Sequence, residues 1–297
     1  MSPAPIALFA YNRPLHLRHA VEALQRNPLA AASELHVFSD GPRTSQAEGA
    51  VAEVRAYAAL ISGFGKLVLH NRDRNLGLAG SVIDGVTRLC DEHGSSIVVE
   101  DDLVVAPPFL AYMNAAIDRY RDDSRVMQIS GHMFPVEVDT PHDAFFLPFI
   151  SSWGWATWDR AWRLFDGAGT GYPVLKADAA RRNAFEMNGA FGYFSMLEAQ
   201  LQGKSDSWAI LWNLSVFMHQ GLVLYPRKTL VQNGGFDGSG VHCRGNPLDG
   251  EIDAAFHPTD MPPVGLLPGL RDEVYNYFRV RNGLPARIRN LVARFMP

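Results

Sequence analysis

Along the first hundred positions the apolar residues follow two alternating rhythms. "PIALFAY" (5–11) is a near-continuous apolar run, the pattern of a buried strand, and the stretch after it carries Leu17, Ala20, Val21 and Leu24 at helical spacing. "LHVFSD" (35–40) predicts a second strand, closed by the turn signal Asp40-Gly41-Pro42. Val51, Val54, Ala58 and Ile61 mark a helix over 45–61, and "KLVLHN" (66–71) a third strand. Ala79, Val82, Ile83, Val86, Leu89 and Cys90 form an amphipathic stripe, followed by a fourth strand in "SSIVVED" (95–101). Strands alternating with helices through short connections predict an α/β fold, with a mostly parallel central sheet flanked by helices. In such sheets ligands sit beyond the carboxyl ends of the strands. Asn12 and Arg13, Asp40, Asn71 and Arg72, and the acids Glu100, Asp101 and Asp102 all fall there.

The second half is less regular. "VMQISG" (126–131), "DAFFLPF" (143–149) and "GLVLYP" (221–226) read as strands, and "DSWAILWNLSVFMHQ" (206–220) as a helix with Asp206 near its start. "SSWGWATWDRAWRLF" (151–165) is expected to turn helical after Gly154. "VQNGGFDGSGVHCRGNP" (231–247) is a glycine-rich loop. Beyond about residue 246, prolines, glycines and acids predict a loosely packed tail that ends in the basic amphipathic segment 284–297.

Length and charge narrow the picture. The 297 residues suit one large domain or two closely joined ones. A net charge of −4 argues against nucleic acid as a partner. Two cysteines, Cys90 and Cys243, suit a reducing compartment and exclude a disulfide scaffold. The N-terminal apolar run lacks a basic flank and is too short for a secretion signal, and no segment has the length to span a bilayer. The expectation is a cytoplasmic protein. Segment 284–297 could lie at the inner face of a membrane, or dock on the protein's own surface or a second subunit.

Three acids at the end of one apolar strand need solvent or a cation, because unpaired buried charges are costly. Oxygen ligands of this kind suit Mg²⁺ or Mn²⁺, which share coordination with substrate phosphates; an acidic loop is the plainer reading. "RNLGLAGSV" (74–82) offers helix N-terminal amides to an anion, or is simply a turn and a helix start. Trp155, Trp158 and Trp162 recur as a core stripe, whereas Trp153 could stack on a sugar ring where Gly154 lets backbone approach a ligand. Asp206 reads as an N-cap or as a general base. His242 reads as a loop residue or as a metal ligand.

These stretches together resemble glycosyltransferases of the GT-A fold, in particular inverting enzymes of the large family-2 type and relatives of N-acetylglucosaminyltransferase I. The likeness covers roughly residues 5–245. "AYNRP" and "FSDGP" resemble the nucleotide-binding loops, "NLGLAGSV" the helix before the metal strand, and "VVEDD" the Asp-x-Asp motif. "SSWGWATWDRAW" resembles the acceptor-side segment, "SDSWAILW" the segment with the base, and "GFDGSGVHC" the mobile C-terminal loop. In the related pattern an acid directly precedes the tryptophan of the base segment; here Ser207 does, with Asp206 one position earlier.

The resemblance implies a hexosyl- or N-acetylhexosaminyl-transferase using Mn²⁺ or Mg²⁺, a nucleotide-sugar donor and a glycan or lipid-linked acceptor, in surface or extracellular polysaccharide or glycolipid assembly. It implies a transferase domain over 1–245, with a donor half (1–104) and an acceptor half (105–245), and an extension over 246–297. Asp102 and His242 would hold the metal, and Asp206 would be the base. Ala10, Asn12, Arg13, Asp40, Asn75, Gly77, Glu100 and Asp101 would face the donor, and Trp153, Gly154 and Trp155 the acceptor. A sugar-phosphate nucleotidyltransferase and a non-catalytic carbohydrate-binding or assembly protein are the competing classes.

Overall fold

The computed structural model describes residues 2–237, 251–267 and 269–283. Its first half is a run of strand–helix units: β1 (Ile6–Ala10), α1 (Pro14–Gln25), β2 (Glu34–Ser39), α2 (Glu48–Ala58), β3 (Lys66–Asn71), α3 (Gly77–His93) and β4 (Ser95–Glu100). β1 alternates its side chains between two cores, Ile6 and Leu8 on one face and Ala7 and Phe9 on the other. Pro14 opens α1, where a missing N–H costs nothing. Gly94, in the left-handed region at φ 79°, closes α3 and turns the chain into β4.

The second half comprises β5 (Leu103–Val105), α4 (Phe109–Arg119), β6 (Val126–Ser130), β7 (Ala144–Leu147), β8 (Trp155–Trp158) and α5 (Asp159–Trp162). Then come α6 (Tyr172–Ala177), α7 (Ala179–Phe185), α8 (Tyr193–Leu201), α9 (Trp208–Met218), β9 (Leu222–Pro226), β10 (Val231–Asn233) and α10 (Leu270–Asn282). Eight strands form one sheet in the order β3-β2-β1-β4-β8-β6-β9-β7. Only β8 and β7 run against the others, so the sheet is mostly parallel, as the alternation predicts. β5 and β10 make a separate antiparallel ribbon.

The helices cover both faces. α1, α2 and α4 pack Leu17, Val21, Val54 and Leu110 over one side. α3, α9 and α10 pack Val82, Val86, Trp212 and Phe278 over the other.

Two expectations change. The stretch after Gly154 is first a strand: β8 is buried throughout between β4 and β6, and the helix begins only at Asp159. With both faces covered, every residue of β8 is buried, and its tryptophan spacing mimics a helical stripe. The tail is also not loose over its described part. α10 buries Leu270, Val274, Tyr275 and Phe278, and Phe256 joins the opposite core. No helix among the described residues is long and apolar enough to cross a membrane; segment 284–297 lies outside them.

Candidate active site

β1, β2 and β4 end side by side, with Ala10 opposite Ser39 and Phe9 opposite Glu100. The residues following each strand therefore meet at one edge of the sheet. Ala10, Asn12, Arg13, Asp40, Asn75, Gly77, Glu100, Asp101 and Asp102 line a cavity of about 620 Å³ there. That is the size of a small-molecule site. Trp153 and Asp206, from the second half of the chain, line the same cavity.

The acids form its most highly charged wall. Asp101 and Asp102 are buried, and Arg13 bonds both, with Nη2 donating to Asp101 Oδ1 and, at 3.1 Å, to Asp102 Oδ2. The Tyr11 amide adds a longer bond of 3.4 Å to Asp101 Oδ2. One guanidinium cannot balance three carboxylates. Loss of water, then repulsion from Asp102 and Asp101, pushes Glu100 well above the ordinary carboxylate range. Burial lifts Asp101 to about 6 against the opposing pull of Arg13. The unbalanced negative charge suits a divalent cation. Mg²⁺ and Mn²⁺ take one or two carboxylates and complete their shell with water and substrate phosphate, and Asp102 at the cavity wall is placed where it could supply one. His242 lies outside the described residues. Among the described residues the one three-ligand group of His, Cys, Asp or Glu is Glu34, His36 and His93, at the far end of β2.

Asp40 and Asn75 have structural partners. Asp40 Oδ1 accepts from the amides of Gly41 at 3.0 Å and Leu76 at 2.9 Å, and Oδ2 from Leu76 and Gly77, both at 3.0 Å. A carboxylate at a helix N-terminus also complements the helix dipole. The amides of Leu76, just before α3, and of Gly77, its first residue, are therefore taken by Asp40. Asn75 Nδ2 donates to the Gly41 carbonyl at 2.8 Å and its Oδ1 accepts from the Gly77 amide at 3.2 Å. Both residues pin the loop after β2 to the start of α3. Both also line the cavity, where they were expected to face the donor.

Asp206 sits over that floor. Gly77 has φ 73°, and a Cβ on it would lie 2.8 Å from Asp206 Oδ2. The position needs glycine for its backbone, and the exposed Asp206 carboxylate closes over it. Asp206 does not cap α9. Ser207 does, its hydroxyl accepting from the Ile210 amide at 3.4 Å, so Asp206 is left exposed at the cavity.

The aromatic segment divides in two. Trp153 is half-buried, lines the cavity and meets His132 edge-on at 4.5 Å between ring centres. Trp155 and Gly154 do not line it. Trp155 is fully buried and stacks on Trp208 at 4.9 Å, and a Cβ on Gly154 would meet the Val231 side chain at 2.8 Å. Expected on the acceptor side, both instead support the wall that carries Trp153. Further lining residues escaped the sequence reading: Tyr11, Arg43, Lys204 and Asn233. Arg43 follows the Asp-Gly-Pro turn and Lys204 lies two residues before Asp206. A search for cations beside the acidic motifs would have found both.

No family model matches the sequence, and no curated protein matches it. Solved structures similar to it include the mannosyltransferase PcManGT from Pyrobaculum calidifontis in complex with GDP-Man and Mn²⁺, at 15% identity, covering 53% of this chain and 45% of that one, with a TM-score of 0.37. GalNAc-T7 with UDP, GalNAc and Mn²⁺ is 11% identical over 76% of this chain and 43% of its own, at 0.46. S. aureus TarS 1–349 is 11% identical over 78% and 60%, at 0.42. This chain thus spans less than two thirds of each, and every TM-score lies below 0.5, too low to carry fold or activity across.

Proposed function

We propose that this chain is a metal-dependent inverting glycosyltransferase of the GT-A type, moving a sugar from a nucleotide-diphosphate donor to a hydroxyl of a glycan or lipid-linked acceptor. One observation carries the reading: the acid cluster at the end of β4, its partner Arg13, and Asp206 from 206 residues into the chain line one cavity at the carboxyl edge of the sheet. Asp102 would hold Mn²⁺ or Mg²⁺, which when bound neutralises charge developing on the leaving diphosphate. Arg13 fixes the orientation of Asp101 and Asp102. Asp206 accepts the proton of the acceptor hydroxyl as its oxygen attacks the anomeric carbon from the face opposite the diphosphate, which inverts that carbon. Trp153 at the cavity wall stacks on a sugar, and Arg43 and Lys204, lining the same cavity, add positive charge for the donor.

A panel of UDP-, GDP- and dTDP-sugars with Mn²⁺ tests this. The expected result is thermal stabilisation by one nucleotide class, with metal-dependent release of the nucleoside diphosphate. Pyrophosphate release from a nucleoside triphosphate and a sugar 1-phosphate, supplied in a parallel assay, would assign a nucleotidyltransferase instead, and binding without turnover a non-catalytic carbohydrate-binding protein.

A further inference from the structure

We infer that Glu34, His36 and His93 form a second metal site, of the zinc class, at the amino end of β2 and independent of the donor cavity. β2 puts Glu34 and His36 on one face, two residues apart, and α3 ends at His93 beside them. One ligand atom from each lies within 4.8 Å of the other two. His36 Nε2 stands 3.4 Å from Glu34 Oε2. Two ligands of one tetrahedral ion, each about 2.0–2.1 Å from it, stand about 3.4 Å apart.

The support behind His36 is of the kind a ligating imidazole needs. His36 is 3% exposed, and its other nitrogen, Nδ1, lies 3.1 Å from His70 Nε2. A ligating histidine characteristically donates its second N–H to such an acceptor, which fixes the tautomer and leaves Nε2 unprotonated toward the ion. Two imidazoles and one carboxylate select Zn²⁺ and its borderline neighbours over Mg²⁺ or Mn²⁺, and three protein ligands leave one position open.

Two features compete with the ion. Lys66 Nζ donates to Glu34 Oε2 at 2.9 Å, but its side chain is 58% exposed and can swing away from a pair worth little at a surface. A proton chain from His70 through His36 to Glu34 would also satisfy the three groups without metal. His36 and Asp40 are four residues apart along β2, roughly 13 Å, so an ion here does not touch the acids at the other end. Its effect would be to clasp the start of β2 to the end of α3.

The test uses metal-stripped full-length protein carrying Asp102→Asn, so that the acid-lined cavity does not mask the signal. Zn²⁺ is titrated by calorimetry, and Co²⁺ by the visible absorption of the four-coordinate ion. The inference expects saturable binding in this background, weakened at least tenfold by adding His93→Ala, with loss of the cobalt bands. His93 is exposed, so metal-free melting should hold; Glu34→Gln is the second variant should it not. Absence of binding in the Asp102→Asn protein, or equal binding and spectra with and without His93 and Glu34, would overturn the site and leave the proton chain.

Discussion

Ser207 caps α9, and its neighbour Asp206, exposed at the cavity, is the proposed base. A cap is worth about 1 kcal/mol of stability, whereas a general base is worth about 10²–10⁴ in rate. Because Ser207 holds the Ile210 amide, Ser207→Ala should cost about 1 kcal/mol in denaturant unfolding. Asp206→Asn should leave unfolding and donor affinity near wild type and reduce transfer at least about a hundredfold. Wild-type transfer in that variant would place the base elsewhere. Gly77→Ala joins the two sides of the site: a Cβ in the left-handed region facing Asp206 Oδ2 should lower both stability and transfer, and a variant unchanged in both would contradict the geometry. At this scale the sequence showed which residues carry charge. It could not show that Asp40 is held by Leu76 and Gly77, because those partners come from 36 and 37 residues away.

At the scale of elements, the first half was legible because each unit declares itself: a short apolar run, a turn, a 3.6-period stripe. β1, β2, β3 and β4 fall where the runs predict. β8 was misread because a strand buried on both faces loses its period-two signature. α6, α7 and α8 went unread; they are six, seven and nine residues long, too short for a stripe to rise above the local composition. α10 was hidden by its polar surroundings, although Val274 and Phe278 lie four apart on one face. Phe278→Ala should therefore cost about 3–5 kcal/mol in chemical denaturation, the cost of emptying a core position. A loose tail would show almost no change. The β2–β3 edge carries a pH signature as well. His70 is held down to about 4 when folded, so its contribution is present above the ordinary value of about 6.5 and is lost as pH falls through about 4. His36 is shifted in the same direction, by burial first. His70→Gln should flatten the acid-side fall of metal-free stability over that window, and an unchanged profile would mean that His70 titrates normally.

Over the whole molecule, the sheet brings distant segments to one edge. Parallel strands β1, β2 and β4 deliver their following loops together, and α9 and the segment around Trp153 close the cavity from the second half. The motifs named the candidate residues, and the topology supplies their proximity. The central claim is that this cavity works on a nucleotide-diphosphate sugar through a metal held at Asp102. Its most direct test is nucleoside-diphosphate release from the stabilising donor, with Mn²⁺ or with EDTA, by wild type and Asp102→Asn. The account predicts turnover that needs the metal and falls by orders of magnitude in the variant, with the metal-free melting temperature preserved. Full turnover in EDTA, or in Asp102→Asn with Mn²⁺, would contradict it.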